Sequence, residues 1–199
     1  MKILVTGFDP FGGEAVNPSW EAVRLLPERI NGAQILKRLL PTEFVRSASV
    51  LEAALDDIRP DAVLCVGQAG GRSAITPERV AINLMDARIP DNAGFQPIDE
   101  PVFPGGKSAY FSTLPVKDMV RAINAAELPS ALSCTAGTYV CNSTMYTLLR
   151  LADEKYPSMC GGFVHVPYSI EQTAEKVGAV PSMTAADMSR GLACALSAI

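Results

Sequence analysis

At 199 residues, 48% hydrophobic and 19% charged, the chain has the length of one domain, 1–199, and enough apolar content for a sizeable core. Its formal net charge of −4 excludes the basic footprint of a nucleic-acid binder and a polybasic membrane patch. The five cysteines (Cys65, Cys134, Cys141, Cys160 and Cys194) are an odd number without a Cys-x-x-Cys pair. That pattern points to free thiols in a reducing compartment and against a zinc site.

In chain order, residues 2–6 read as an apolar strand that runs into Asp9-Pro10 too soon to be a signal peptide. Asn17 is a candidate N-cap, with Pro18 at the first position of a helix over 18–26. A strand over 34–39 precedes a helix over 44–58, where Val50, Leu51, Ala54, Leu55 and Ile58 recur at helical spacing and Pro60 follows the stop. Strands are predicted over 62–66 and 80–85. The stretch 88–110, with four prolines and three glycines, has little periodicity, which marks a functional segment or a subunit contact. A helix over 115–126, a strand over 131–134 and a helix over 139–156 follow. The uncharged run 128–149 is broken by Ser, Thr, Asn and Gly and does not read as a membrane span. The last elements are a strand over 163–166 and a helix over 184–198, opened by the capping pair Thr184 and Asp187. The alternation implies an α/β domain with a largely parallel sheet covered by helices, its strands too apolar for a one-sided sheet.

Two glycine-rich turns follow predicted strands: Gly7-Phe8-Asp9-Pro10-Phe11-Gly12-Gly13 and Gly67-Gln68-Ala69-Gly70-Gly71-Arg72. Neither matches a dinucleotide fingerprint or a P-loop. Phe8 and Phe11 either wall a small apolar pocket at the strand ends or pack beneath their own loop. Cys141 falls in the first turn of the helix over 139–156, where unpaired N–H groups and the helix dipole would favour a thiolate and an oxyanion. His165 is the only histidine, 24 residues on, an interval that fits a helix and a return strand to the same sheet edge. Either residue alone reads as an ordinary core side chain. Glu78, Asp86 and Asp91 are all candidates for the acid that orients the imidazole, and spacing does not choose among them.

Six ordered blocks carry a resemblance: residues 5–12 with Asn17-Pro18 after them, 67–72, 78–83, 89–92, 133–142 and 163–168. In these the chain resembles pyroglutamyl peptidase type I (pyrrolidone carboxyl peptidase), a family of cysteine peptidases. The resemblance implies removal of an N-terminal pyroglutamyl residue from small peptides, with a triad at Glu78, Cys141 and His165. It further implies that Phe8 and Phe11 sandwich the pyrrolidone ring, that Gln68 bonds the lactam amide, and that the backbone N–H of Cys141 and the region of Arg88 serve the oxyanion or the substrate loop. A single-domain three-layer α/β/α sandwich with a twisted, mostly parallel sheet, a cytoplasmic homotetramer, and no metal or cofactor complete what it implies. A cysteine amidase or thioesterase acting on another small acyl group is the alternative on the same scaffold, and a non-catalytic metabolite binder is the alternative of another class.

Overall fold

The computed structural model describes residues 1–174 and 176–199. The first part of the chain forms β1 (Lys2–Phe8), α1 (Pro18–Arg24), β2 (Arg29–Ile30), β3 (Ala33–Leu40), α2 (Phe44–Ile58) and β4 (Ala62–Gln68). Then come β5 (Thr76–Glu78), β6 (Val80–Ile82), β7 (Ala109–Phe111), α3 (Val116–Ala125) and α4 (Val140–Glu154). The chain ends with β8 (Cys160–Val166), β9 (Tyr168–Ser169), α5 (Ile170–Thr173), β10 (Ser182–Met183) and α6 (Ala185–Leu196).

Six strands form the main sheet in the order β2-β3-β1-β4-β8-β5. The four inner strands are parallel, and β2 and β5 close the edges antiparallel. Successive side chains of a strand face opposite sides, and here both sides are apolar. Ile3, Val5, Leu64, Val66, Val164 and Val166 pack against α1, α3 and α6. Leu4, Val63, Cys65 and Phe163 pack against α2 and α4. Two buried faces explain the uninterrupted apolar runs, and each large side chain so buried contributes about 1.5–3 kcal/mol. The result is a three-layer α/β/α sandwich with a mostly parallel sheet, as expected.

Local chemistry sets the helix boundaries. Asn17 Oδ1 accepts from Ser19 N at 3.1 Å with Pro18 beginning α1, and Thr184 Oγ1 accepts from Asp187 N at 3.0 Å at the start of α6. The predicted strand over 80–85 is corrected. Only Val80–Ile82 is extended, and it pairs with β7 in a separate two-stranded sheet. Beyond it the Asn142 side chain takes over the backbone, bonding Ile82 N, Ile82 O and Leu84 O at 2.9 Å each. The predicted strand over 131–134 is also absent. This segment runs beside β5 and joins it only by isolated bridges, Ile75 to Ser130 and Glu78 to Ser133. Pro77 and Pro129 lack the N–H groups that a continuous ladder needs.

β1 lies inside the sheet with β3 on one side and β4 on the other, so the connections diverge between β1 and β4. In open α/β sheets the crevice beyond the strand ends at such a point is where ligands bind.

Candidate active site

The carboxyl ends of β1, β4 and β8 carry Phe8, Gln68 and His165 to one cavity of about 750 Å³, which Phe11, Arg72, Arg88 and Cys141 also line. Every residue that the resemblance assigns to the site lines it except Glu78, which lies fully buried against His165.

Cys141 is the second residue of α4, whose N-terminus has no side-chain cap. The N–H groups of that first turn are therefore available to an anionic oxygen. Gly67 is the register partner of His165 across the β4–β8 pair, so both positions face α4. A Cβ at position 67 would lie 2.8 Å from Cys141 Sγ and 2.7 Å from the Phe163 ring. The missing side chain is what lets the thiol settle over β4 at the position paired with His165. Phe163 supports that imidazole from below, with ring centroids 4.8 Å apart.

His165 is buried, and its Nδ1 lies 2.8 Å from Glu78 Oε1. An ionised carboxylate only accepts, so Nδ1 carries the proton and Nε2 of the neutral ring is left as an acceptor. Of the three candidate acids, only Glu78 meets the imidazole. Asp91 instead accepts from Phe44 N at the start of α2 and from Ala93 N and Phe95 N in its own loop, each at 2.9 Å. Asp86 is exposed on the cavity rim.

Burial governs the protonation states. It pushes the Cys141 thiol up to about 12, with the Glu78 charge adding to the effect. It also pulls the imidazole of His165 below its ordinary value, against the opposing pull of Glu78. In Glu78 burial works upward, but the bond and charge of His165, with bonds from Ser133 and Arg72, together outweigh it and the carboxyl lies below the usual range. The resting site is thus a thiol, a neutral imidazole and a carboxylate. Desolvation opposes the thiolate that the helix N-terminus would favour.

The phenylalanines divide the two roles left open for them. Phe8 is buried against Phe163, with centroids 6.3 Å apart, and still reaches the cavity wall. Phe11 is half-buried and leans on Tyr139 at 6.0 Å. Gln68 Oε1 accepts from Gln172 Nε2 at 3.0 Å. Gln172 in turn is fixed by backbone, its Oε1 accepting from Ser169 N at 3.1 Å. Gln68 therefore has its amide N–H₂ left to offer the cavity. Arg88 is exposed on the rim and makes no ion pair among the described residues.

Sequence reasoning assigned no chemistry to Arg72, Asn142 or Gln172. Arg72 Nη1 donates to Glu78 Oε1 at 2.6 Å and to Thr76 Oγ1 at 2.5 Å, while Nη2 donates to Thr135 O at 3.0 Å. Its proximity to Glu78 in sequence was the available clue. Asn142 is fully buried and fixes α4 to the segment that leads to Asp86 and Arg88. Gln172 is legible only as the third helical position of a Ser-x-x-Gln capping box.

Comparison with known proteins gives one answer at every level. The profile of the pyroglutamyl peptidase family matches residues 1–199. Pyrrolidone-carboxylate peptidase 1 of Streptococcus pneumoniae serotype 4 is 56% identical over 199 residues, covering 100% of this chain and 92% of the relative. Pyrrolidone-carboxylate peptidase of Streptococcus pyogenes serotype M1 is 55% identical with the same coverage. Among solved structures, pyroglutamyl peptidase I of Bacillus amyloliquefaciens superposes with a TM-score of 0.95 at 48% identity, over 99% of this chain and 95% of that one. A mutant pyrrolidone carboxyl peptidase from the hyperthermophile Pyrococcus furiosus gives 0.94 at 44% identity, over 100% and 97%.

Proposed function

Since the chain belongs to the pyroglutamyl peptidase family, cysteine peptidases that remove an N-terminal pyroglutamate, we propose that Cys141, His165 and Glu78 perform this reaction in it. The supporting observation is the Glu78–His165 Nδ1 bond together with a Cys141 thiol that lies over Gly67, the register partner of His165.

The proton sequence follows from the resting states. As Sγ attacks the pyroglutamyl carbonyl, the thiol proton passes to His165 Nε2 and a C–S bond forms. Negative charge grows on the carbonyl oxygen, and the free N–H groups in the first turn of α4, that of Cys141 among them, are placed to receive it. The imidazolium formed in this step is stabilised by Glu78 at 2.8 Å. It protonates the leaving nitrogen as the C–N bond breaks, freeing the shortened peptide and leaving a thioester. Water then gives a proton to His165 and attacks the thioester. The C–S bond breaks, the proton returns to Sγ, and free pyroglutamate departs.

Specificity is proposed to reside in Phe8, Phe11 and Gln68. The two rings cover the faces of a small flat lactam. The Gln68 N–H₂ group, left over once its oxygen is engaged by Gln172, donates to the lactam C=O. An N-terminal proline lacks that C=O and would leave the buried donor unpaired, which is penalised strongly. Arg88 borders the side where the rest of the peptide leaves the cavity.

A cytoplasmic homotetramer is proposed as the working form. A free nucleophilic thiol suits a reducing compartment. Exposed Val45, Phe95 and Phe103, lining a groove of about 430 Å³ between α2 and the 88–110 segment, supply an apolar face for a second copy.

The test is hydrolysis of pyroglutamyl aminomethylcoumarin by wild type and Cys141→Ala. Wild type should turn it over and Cys141→Ala should not, with its melting temperature retained. Turnover by the alanine variant would overturn the assignment.

A further inference from the structure

We propose that Arg72 is a positioning residue of the reaction, sharing Glu78 Oε1 with His165 and tying the acid to the loop that leads into Cys141. The proposal rests on the reading of Glu78, His165 and Cys141 given above.

Glu78 Oε1 receives two donors, Arg72 Nη1 at 2.6 Å and His165 Nδ1 at 2.8 Å. Glu78 Oε2 is buried without a hydrogen-bond partner among the described residues. The carboxylate is thus held through one oxygen by two groups, one of them permanently charged. Without Arg72, Glu78 Oε1 would be held by the imidazole alone, with the Ser133 hydroxyl the other side chain acting on the carboxylate.

Arg72 also sets the charge balance around the imidazole. The groups that face the imidazole are Glu78 from β5, Arg72 from the β4–β5 loop and the Cys141 thiol from α4, with Cys65 below the thiol on β4. With Arg72 present, carboxylate plus neutral imidazole sum to zero. With Arg72 absent they sum to −1 in a buried site, which would draw a proton to His165 at rest. A protonated Nε2 cannot accept the thiol proton, so Arg72 keeps the base empty until Cys141 attacks. Arg72 Nη2 also donates to Thr135 O at 3.0 Å, so the same fork links the acid to the turn that enters α4. A lysine keeps the charge but not the two-nitrogen fork.

The sign of the pH effect follows. His165 acts as a base in its neutral form, so kcat/KM falls on the acid side as the imidazole is protonated. Burial and Arg72 both lower the imidazole, placing this limb below the ordinary imidazole value. Removing Arg72 moves the limb to higher pH.

The experiment measures kcat/KM against pH on pyroglutamyl aminomethylcoumarin, together with the NMR titration of His165, in wild type, Arg72→Met and Arg72→Lys. As His165 is the only imidazole, its resonances are unambiguous. In Arg72→Met both the titration and the acid limb should rise by about one unit, lowering kcat/KM about tenfold at a pH below the limb. Most of the loss should lie in kcat, since Arg72 acts through Glu78. Arg72→Lys should restore the limb's position but not the full kcat. An unmoved His165 titration in Arg72→Met, or wild-type kcat in Arg72→Lys, would overturn the proposal. If Arg72→Met fails to fold, Arg72→Lys alone decides. Activity of Cys141→Ala would instead remove the reading beneath it, whatever Arg72 does.

Discussion

In the proposed mechanism a single hydrogen bond selects which imidazole nitrogen works. With Glu78 ionised, His165 Nδ1 must donate to it, and Nε2 keeps the lone pair proposed to take the thiol proton. Glu78→Gln keeps the shape of the acid but brings a donor, so the ring can switch to the tautomer with its proton on Nε2. That form cannot take the proton of Cys141. The expected loss is roughly 10³–10⁴-fold in kcat with little change in KM. Steady-state kinetics on a pyroglutamyl amide check it, and a near-native kcat would exclude Glu78 as the orienting acid. The same bond explains why three carboxylates looked equivalent in the sequence. Glu78, Asp86 and Asp91 all lie near the 80–85 segment, and only the folded chain turns Asp91 into a cap for α2 and leaves Asp86 in solvent.

Helices and strands place the thiol with little room to spare. Gly67 matters for the space above it, because Cys141 Sγ occupies what would otherwise be a side-chain position. Gly67→Ala should displace the thiol from the imidazole and lower kcat by on the order of 100-fold, since small displacements of a nucleophile are that costly. The overpacked methyl should also destabilise the fold by about 1–3 kcal/mol, measurable in urea unfolding. Wild-type kcat in this variant would show that the thiol does not sit over Gly67. The elements themselves were mostly legible from the sequence. Leu51, Ala54 and Leu55 mark the buried face of α2, and unbroken apolar runs mark β1, β4 and β8. What escaped was backbone satisfied by side chains. Residues 83–84 look like strand, yet the carbonyl of Leu84 goes to Asn142, 58 positions away, and the N–H of Leu84 turns back to Ile82 O. In the site, Cys141 and His165 stood out by residue type and spacing. Arg72 did not, because a guanidinium near a carboxylate in sequence is usually an exposed pair, and here β5 carries its partner into the interior.

At the scale of the whole molecule, the 88–110 segment leaves several large apolar side chains wet in a lone chain. Phe95, Ile98 and Phe103 are exposed there, and Val45 on α2 stands beside them. If this face joins copies into a tetramer, Val45→Glu should shift the mass seen by light scattering towards smaller species while sparing the fold, since the residue is 75% exposed. A wild type of monomeric mass at micromolar concentration would contradict the assembly. The sheet order has a consequence for biosynthesis. β8 fills an inner slot between β4 and β5, although both are translated long before it. Until residues 160–166 leave the ribosome, the β4 edge, with Ala62, Val63, Leu64, Cys65 and Val66 all apolar, has no partner. A nascent chain is therefore most aggregation-prone late in synthesis and gains from chaperone cover at that stage. Because the same strand delivers His165, an unfinished chain also lacks the proposed base, and on that mechanism no hydrolysis begins before the fold closes.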